Sequence, residues 1–81
     1  MQLFHFIIRV PKEHSSFIYF QMEACEGLGF YSTLEFIPGQ SFRDIDIKGP
    51  IEFKEETLDL LNGLKKSTKL EFLKDEVIID S

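Results

Sequence analysis

Cys25, His5 and His14 supply the only thiol and imidazole side chains of the sequence, and with 14 carboxylates they are where chemistry would be sought first. A Cys–His pair makes a nucleophile when the imidazole can take the thiol proton. His14 and Cys25 are eleven residues apart, about three turns on one helix, so no such pair is expected. Cys25 also falls in the apolar arc of its segment, where a thiol packs as an inert small hydrophobe. Neither histidine has a second ligand at the spacing of C-x-x-C or H-x-x-x-H, and no metal site is read. His5 is expected on the open face of a sheet, His14 on the surface near a helix start. Glu55/Glu56 and Asp75/Glu76 are of the type used in general acid–base catalysis, but carboxylates at helix starts and turns are usually solvated. The run EGLG at 26–29 lacks phosphate-loop spacing, and it ends a helix, whose partial negative charge repels phosphate. No catalytic residue, metal ligand or cofactor is assigned.

Charge narrows the partners. The formal net charge is −5 over 81 residues, which opposes binding to a nucleic-acid backbone, because phosphate contacts need clustered Lys and Arg. The one basic cluster, Lys65, Lys66 and Lys69, sits where a helix should end and suits the helix dipole. Leu3–Ile8 is too short to span a bilayer, and the N-terminus lacks the basic start of a signal peptide. A lone cysteine fits a reducing compartment, so a cytoplasmic protein without membrane contact is expected. Such a short chain buries only about 60% of its unfolded surface. The core must come from the 43% hydrophobic residues, nine Phe among them.

The order of the patterns sets the architecture. Phe4, Phe6, Ile8 and Val10 alternate with Leu3, His5, Ile7 and Arg9, giving a first strand that buries the uniformly apolar set. Pro11 ends it, and Ser15 or Ser16 is placed to cap a helix. Phe17, Ile18, Met22, Ala24 and Cys25 form that helix's apolar arc, with Tyr19, Glu23 and Glu26 opposite. Gly27-Leu28 reads as its stop. A second strand is expected over Phe30–Ile37, a turn at Pro38-Gly39, and a third strand with Arg43, Ile45 and Ile47 against Phe42, Asp44, Asp46 and Lys48. Gly49-Pro50 closes it. A second helix is expected from about Lys54 to Lys66, with Phe53, Leu60, Leu61 and Leu64 on one face. Over 69–80, a fourth strand at Lys69–Leu73 with a short return strand at Val77–Asp80 is favoured over one continuous strand. The order β-α-β-β-α-β predicts an α+β, ferredoxin-like two-layer sandwich with an antiparallel sheet, one domain over 1–81, with strands 1 and 3 central and both helices on one face.

That fold hosts many functions. An RNA-binding version needs a basic third strand, and Asp44 and Asp46 oppose that. An acylphosphatase-like version needs a glycine-rich cradle after strand 1, and RVPKEHSS has Arg9 but no glycine.

The stretch RVPKEHSSFIYFQMEACEGLGFYSTL resembles a family of small bacterial proteins, domain of unknown function 4911, whose pattern is an R-V-P opening, a helix ending E-A-x-E-G-L and a strand with S-T or R-T. Arg9, Val10, Pro11, Glu23, Ala24, Glu26, Gly27, Leu28 and Thr33 carry it, over about a third of the chain. The resemblance implies a βαββαβ sheet similar to ACT regulatory domains and no assigned activity. ACT-like domains bind small ligands, often amino acids, near the first strand–helix loop, where Pro11 and Lys12 stand in place of the usual glycine. The leading expectation is a non-enzymatic interaction domain, working as a homodimer or with another protein. Its interface is expected on the open sheet face at Leu3, His5, Ile7, Tyr31 and Thr33, with Arg9 near Asp44 or Asp46. The alternative is an ACT-like sensor of a small metabolite such as an amino acid.

Overall fold

The computed structural model describes residues 1–25 and 29–79. Strict alternation builds β1 (Gln2–Pro11), and its proline hands the chain to a 3₁₀ turn (Lys12–His14) that feeds α1 (Ser15–Ala24). After β2 (Phe30–Thr33), the second half repeats the device. β3 (Phe42–Pro50) ends on Pro50, a 3₁₀ turn (Ile51–Phe53) follows, and α2 (Lys54–Leu64) leads to β4 (Glu71–Ile79). The two prolines share nearly one conformation, φ −56° and −55° with ψ 141° and 140°. Proline's fixed φ and missing N–H end the ladder at both places, so each strand leaves the sheet in the same way.

The sheet order is β2-β3-β1-β4, antiparallel throughout, with β1 and β3 central. Phe4, Phe6, Ile8 and Val10 of β1 and Ile45 and Ile47 of β3 are buried with Ile18, Met22, Leu61 and Leu64 of the helices. Both helices therefore cover one face, and the chain is an α+β two-layer sandwich of the ferredoxin-like kind. Phe6 anchors it, its ring 5.1 Å from Phe4 and 5.7 Å edge-on to Phe72.

Several local expectations are corrected. β2 stops at Thr33; Leu34 still donates its N–H to the Asp44 carbonyl, and the chain then leaves the ladder. Phe36 lies under the Arg43 guanidinium, 3.7 Å from the ring centroid, a contact that draws it away from pairing. β4 is one continuous nine-residue strand rather than two, because Asp75 and Glu76 stay in register with β1 and a bulge absorbs the mismatch opposite Ile7/Ile8. Neither Ser15 nor Ser16 caps α1. The 3₁₀ turn already supplies the helix entry, and Ser15 Oγ donates back to the Lys12 carbonyl at 2.8 Å. In α1, Ile18 and Met22 are buried, whereas Phe17 and Ala24 are exposed and Cys25 is half-buried. Tyr19 turns inward instead and packs against the core, since it has Tyr31 to stack on. α2 ends at Leu64, two residues early. The helix stop predicted at Gly27 lies outside the described residues.

Two glycines answer to backbone constraints, one in a turn and one at a close approach. Gly39 has φ +97° in the turn that Gln40 N–H closes onto the Ile37 carbonyl at 3.1 Å. Gly29 passes so near β3 that a Cβ there would run into the Lys48 carbonyl.

Candidate functional site on the open sheet face

Alternation leaves the second face of the sheet to side chains of odd number in β1 and even number in β3. Leu3, His5, Ile7 and Arg9 lie beside Phe42, Asp44, Asp46 and Lys48, and β4 adds Lys74, Glu76 and Ile78 by register. Phe30 and Ser32 join from β2, opposite Lys48 and Asp46. The result is a charge network laced through apolar positions.

His5 sits at its centre, 12% exposed, between two carboxylates from opposite neighbours. Nδ1 meets Glu76 Oε2 at 2.7 Å and Nε2 meets Asp46 Oδ1. Each ring nitrogen thus faces a carboxylate oxygen on a different neighbouring strand. The triad crosses three strands and pins β3 and β4 to β1. Hydrogen bonding to His5, helped by Lys74 and Lys48 and opposed by burial, holds the Glu76 carboxyl below the usual glutamate range.

Arg9 forms the second node. It donates from Nε and Nη2 to the two Asp44 oxygens at 2.8 and 3.1 Å, with its guanidinium 4.0 Å from the Phe42 ring centroid. The Asp44 hydrogen bond raises its pKa further, with Asp44 and Glu71 charges adding and burial opposing. Lys48 lies 3.8 Å from Asp46 and Lys74 lies 3.9 Å from Glu76. The charges here thus find partners within the chain.

Leu3, His5 and Ile7 are where the sequence placed them, and Arg9 does reach Asp44. Tyr31 and Thr33 do not join them. Their cross-strand partners are Ile47 and Ile45, both buried, which puts them on the helix side. There Tyr31 stacks on Tyr19 at 5.3 Å, Tyr31 Oη donates to Glu23 Oε1 at 2.5 Å, and the Tyr19 and Thr33 hydroxyls bond each other. The Glu23 bond pushes the Tyr31 hydroxyl up, and burial does the same for Tyr19. The parity of β2 relative to β1 cannot be read along the chain, and this displaced the two residues by one face. The same parity brings out Phe30, 81% exposed, which the sequence had not singled out. The His5–Asp46–Glu76 triad leaves no signal along the chain for a related reason: from sequence alone Glu76 reads as a turn residue.

The other candidate residues stay apart. His14 is half-buried, with Nδ1 2.5 Å from Thr68 Oγ1. Among the described residues, no three His, Cys, Asp or Glu side chains are arranged to hold a metal ion, and no helix is long and apolar enough to cross a membrane. Where β1 leaves the sheet there is a cleft of about 320 Å³, lined among others by Arg9, Pro11, Glu13, Phe42, Lys69 and Glu71.

No family model matches the chain, and no curated protein matches it. Solved structures do share its fold. CPII from Thiomonas intermedia K12, a nitrogen regulatory PII-like protein bound to ADP, AMP and bicarbonate, superposes with a TM-score of 0.71 at 14% identity, over 99% of this chain and 93% of that one. The SecDF periplasmic domain P4 gives 0.66 at 18% identity, over 98% and 89%. The de novo designed protein Foldit4 gives 0.56 at 14% identity, over 99% and 98%. At such identities the likeness extends to fold alone, as a regulator, a periplasmic domain and a designed protein side by side make plain.

Proposed function

We propose that this chain is a non-catalytic interaction domain that associates through the open face of its sheet, in the first instance with a second copy of itself. The observation that carries this is the state of that face, which the helices leave uncovered with its charges already paired. Arg9, Lys48 and Lys74 stand against Asp44, Asp46, Glu71 and Glu76, so the face holds one excess negative charge of the chain's formal five with His5 neutral. Two copies meeting here bring little net charge against each other. Leu3, Ile7, Phe42, Ile78 and the exposed Phe30 supply apolar area between the ion pairs, the mixture that protein interfaces favour. The net negative charge supports a protein partner over nucleic acid, and the single thiol supports a cytoplasmic setting.

Sedimentation velocity tests the reading. The wild type should self-associate at tens of micromolar, roughly, and Ile7→Asp should be monomeric there. Phe30→Asp, at a largely exposed position, serves the same purpose if the Ile7 change unfolds the chain. A monomeric wild type, or variants that associate like it, would refute the proposal.

A second reading rests on the cleft beside Arg9. Its volume is at the lower end for small-molecule sites, and it sets Arg9 and Lys69 near Glu13 and Glu71, a pattern suited to a zwitterion such as an amino acid. The likeness to a PII-like regulator whose structure holds ADP, AMP and bicarbonate adds nucleotides to the candidates. A thermal-shift screen against amino acids, ADP and AMP should raise the melting temperature for a true ligand. No shift at millimolar ligand, roughly, would dismiss it.

A further inference from the structure

The two edges of the sheet are built differently. β2 is only four residues long, whereas β4 presents nine residues with no strand beyond it among the described residues. Free edges invite pairing, and proteins blunt them with charge and bulges. The first four residues of β4 are blunted in both ways, by the bulge opposite Ile7/Ile8 and by the charges of Glu71 and Lys74. The last three are not. Val77, Ile78 and Ile79 are β-branched, uncharged and regular, with Val77 44% and Ile79 76% exposed.

We propose that Asp75–Ile79 pairs antiparallel with the same segment of a second copy, the two-fold axis passing between the two Val77 residues. Charge selects this register. Centring the pair on Lys74, Asp75 or Glu76 sets that charge directly against its own copy, which is destabilising. Centring on Ile78 leaves only three pairs inside the strand. Centring on Val77 gives five: Val77 against Val77, and Glu76–Ile78 and Asp75–Ile79 twice each. No like charges then face each other, and cross-strand partners share a face of the joined sheet as the pleat requires. The seam is short, well under the roughly 1,600 Å² of a standard interface, so the contact is weak and needs high concentration. It is independent of the open-face reading, being made by the sheet's edge.

The test uses position 79, where substitution disturbs the fold least. In an Ile7→Asp (or Phe30→Asp) background, which removes any face contact, Ile79→Lys places a cation opposite Asp75 of the second copy, and Ile79→Glu places an anion there. Sedimentation equilibrium up to about 1 mM should show Ile79→Lys dimerising at least about tenfold more tightly than Ile79→Glu. Equal dissociation constants for the two variants, or no dimer of the Ile79→Lys protein at that concentration, would overturn the proposal. Failure of the open-face reading would show separately, as an Ile7→Asp change without effect on the wild-type assembly.

Discussion

The two faces of β1 are made from ten consecutive residues and do opposite work. On the helix side, Phe4, Phe6, Ile8 and Val10 are all but inaccessible and pack against both helices. On the other, Leu3, His5, Ile7 and Arg9 are only half-buried and lie among charges from β3 and β4. Stability resides on the first face, where removing apolar area from water is worth about 25 cal/mol per Å². The second adds less, because partly exposed ion pairs give up in desolvation and side-chain entropy much of what they gain. What it provides is a cross-tie: His5 joins β3 and β4 to β1 once the register is set.

Breaking the helix-side face should have the largest effect. Phe6→Ala removes a fully buried ring in contact with two others, and should cost about 3–5 kcal/mol by urea unfolding. A cost below about 1 kcal/mol would mean that the core does not centre on β1.

On the open face, His5→Ala leaves Asp46 and Glu76 without the group between them. A loss of about 1–2 kcal/mol is expected, smaller in high salt, because charge-assisted bonds are lost where water can partly replace them. A loss equal to that of Phe6→Ala would erase the contrast between the faces.

The smallest effect lies in the acid limb of stability. The Glu76 carboxyl is held below its ordinary value mainly by His5. A depressed carboxylate stabilises the fold above its unfolded pKa, about 4.3, and that contribution fades as pH falls through the folded value. Glu76→Gln should therefore show a shallower loss of stability than the wild type as pH falls below about 4.3, read as urea midpoints against pH. Parallel curves would remove Glu76 from the network.

Much of this was written in local patterns. Alternation in LFHFIIRV and RDIDIK fixed which residues of the central strands are buried, because a strand's period of two depends on nothing beyond the strand. Pro11, Pro50 and the Pro38-Gly39 turn marked the breaks, since proline and glycine act through their own backbones. From that order of elements the sandwich followed. Tertiary structure alone decided the relations between strands. The parity of β2 sent Tyr31 and Thr33 to the helix side and Phe30 to the open face. Pairing with β1 drew KDE at 74–76 into a continuous strand although the triplet reads as a turn. The arrangement of His5 between Asp46 and Glu76 joins residues 41 and 71 positions apart, and such a contact depends on register, which the backbone hydrogen bonds and the buried face set together.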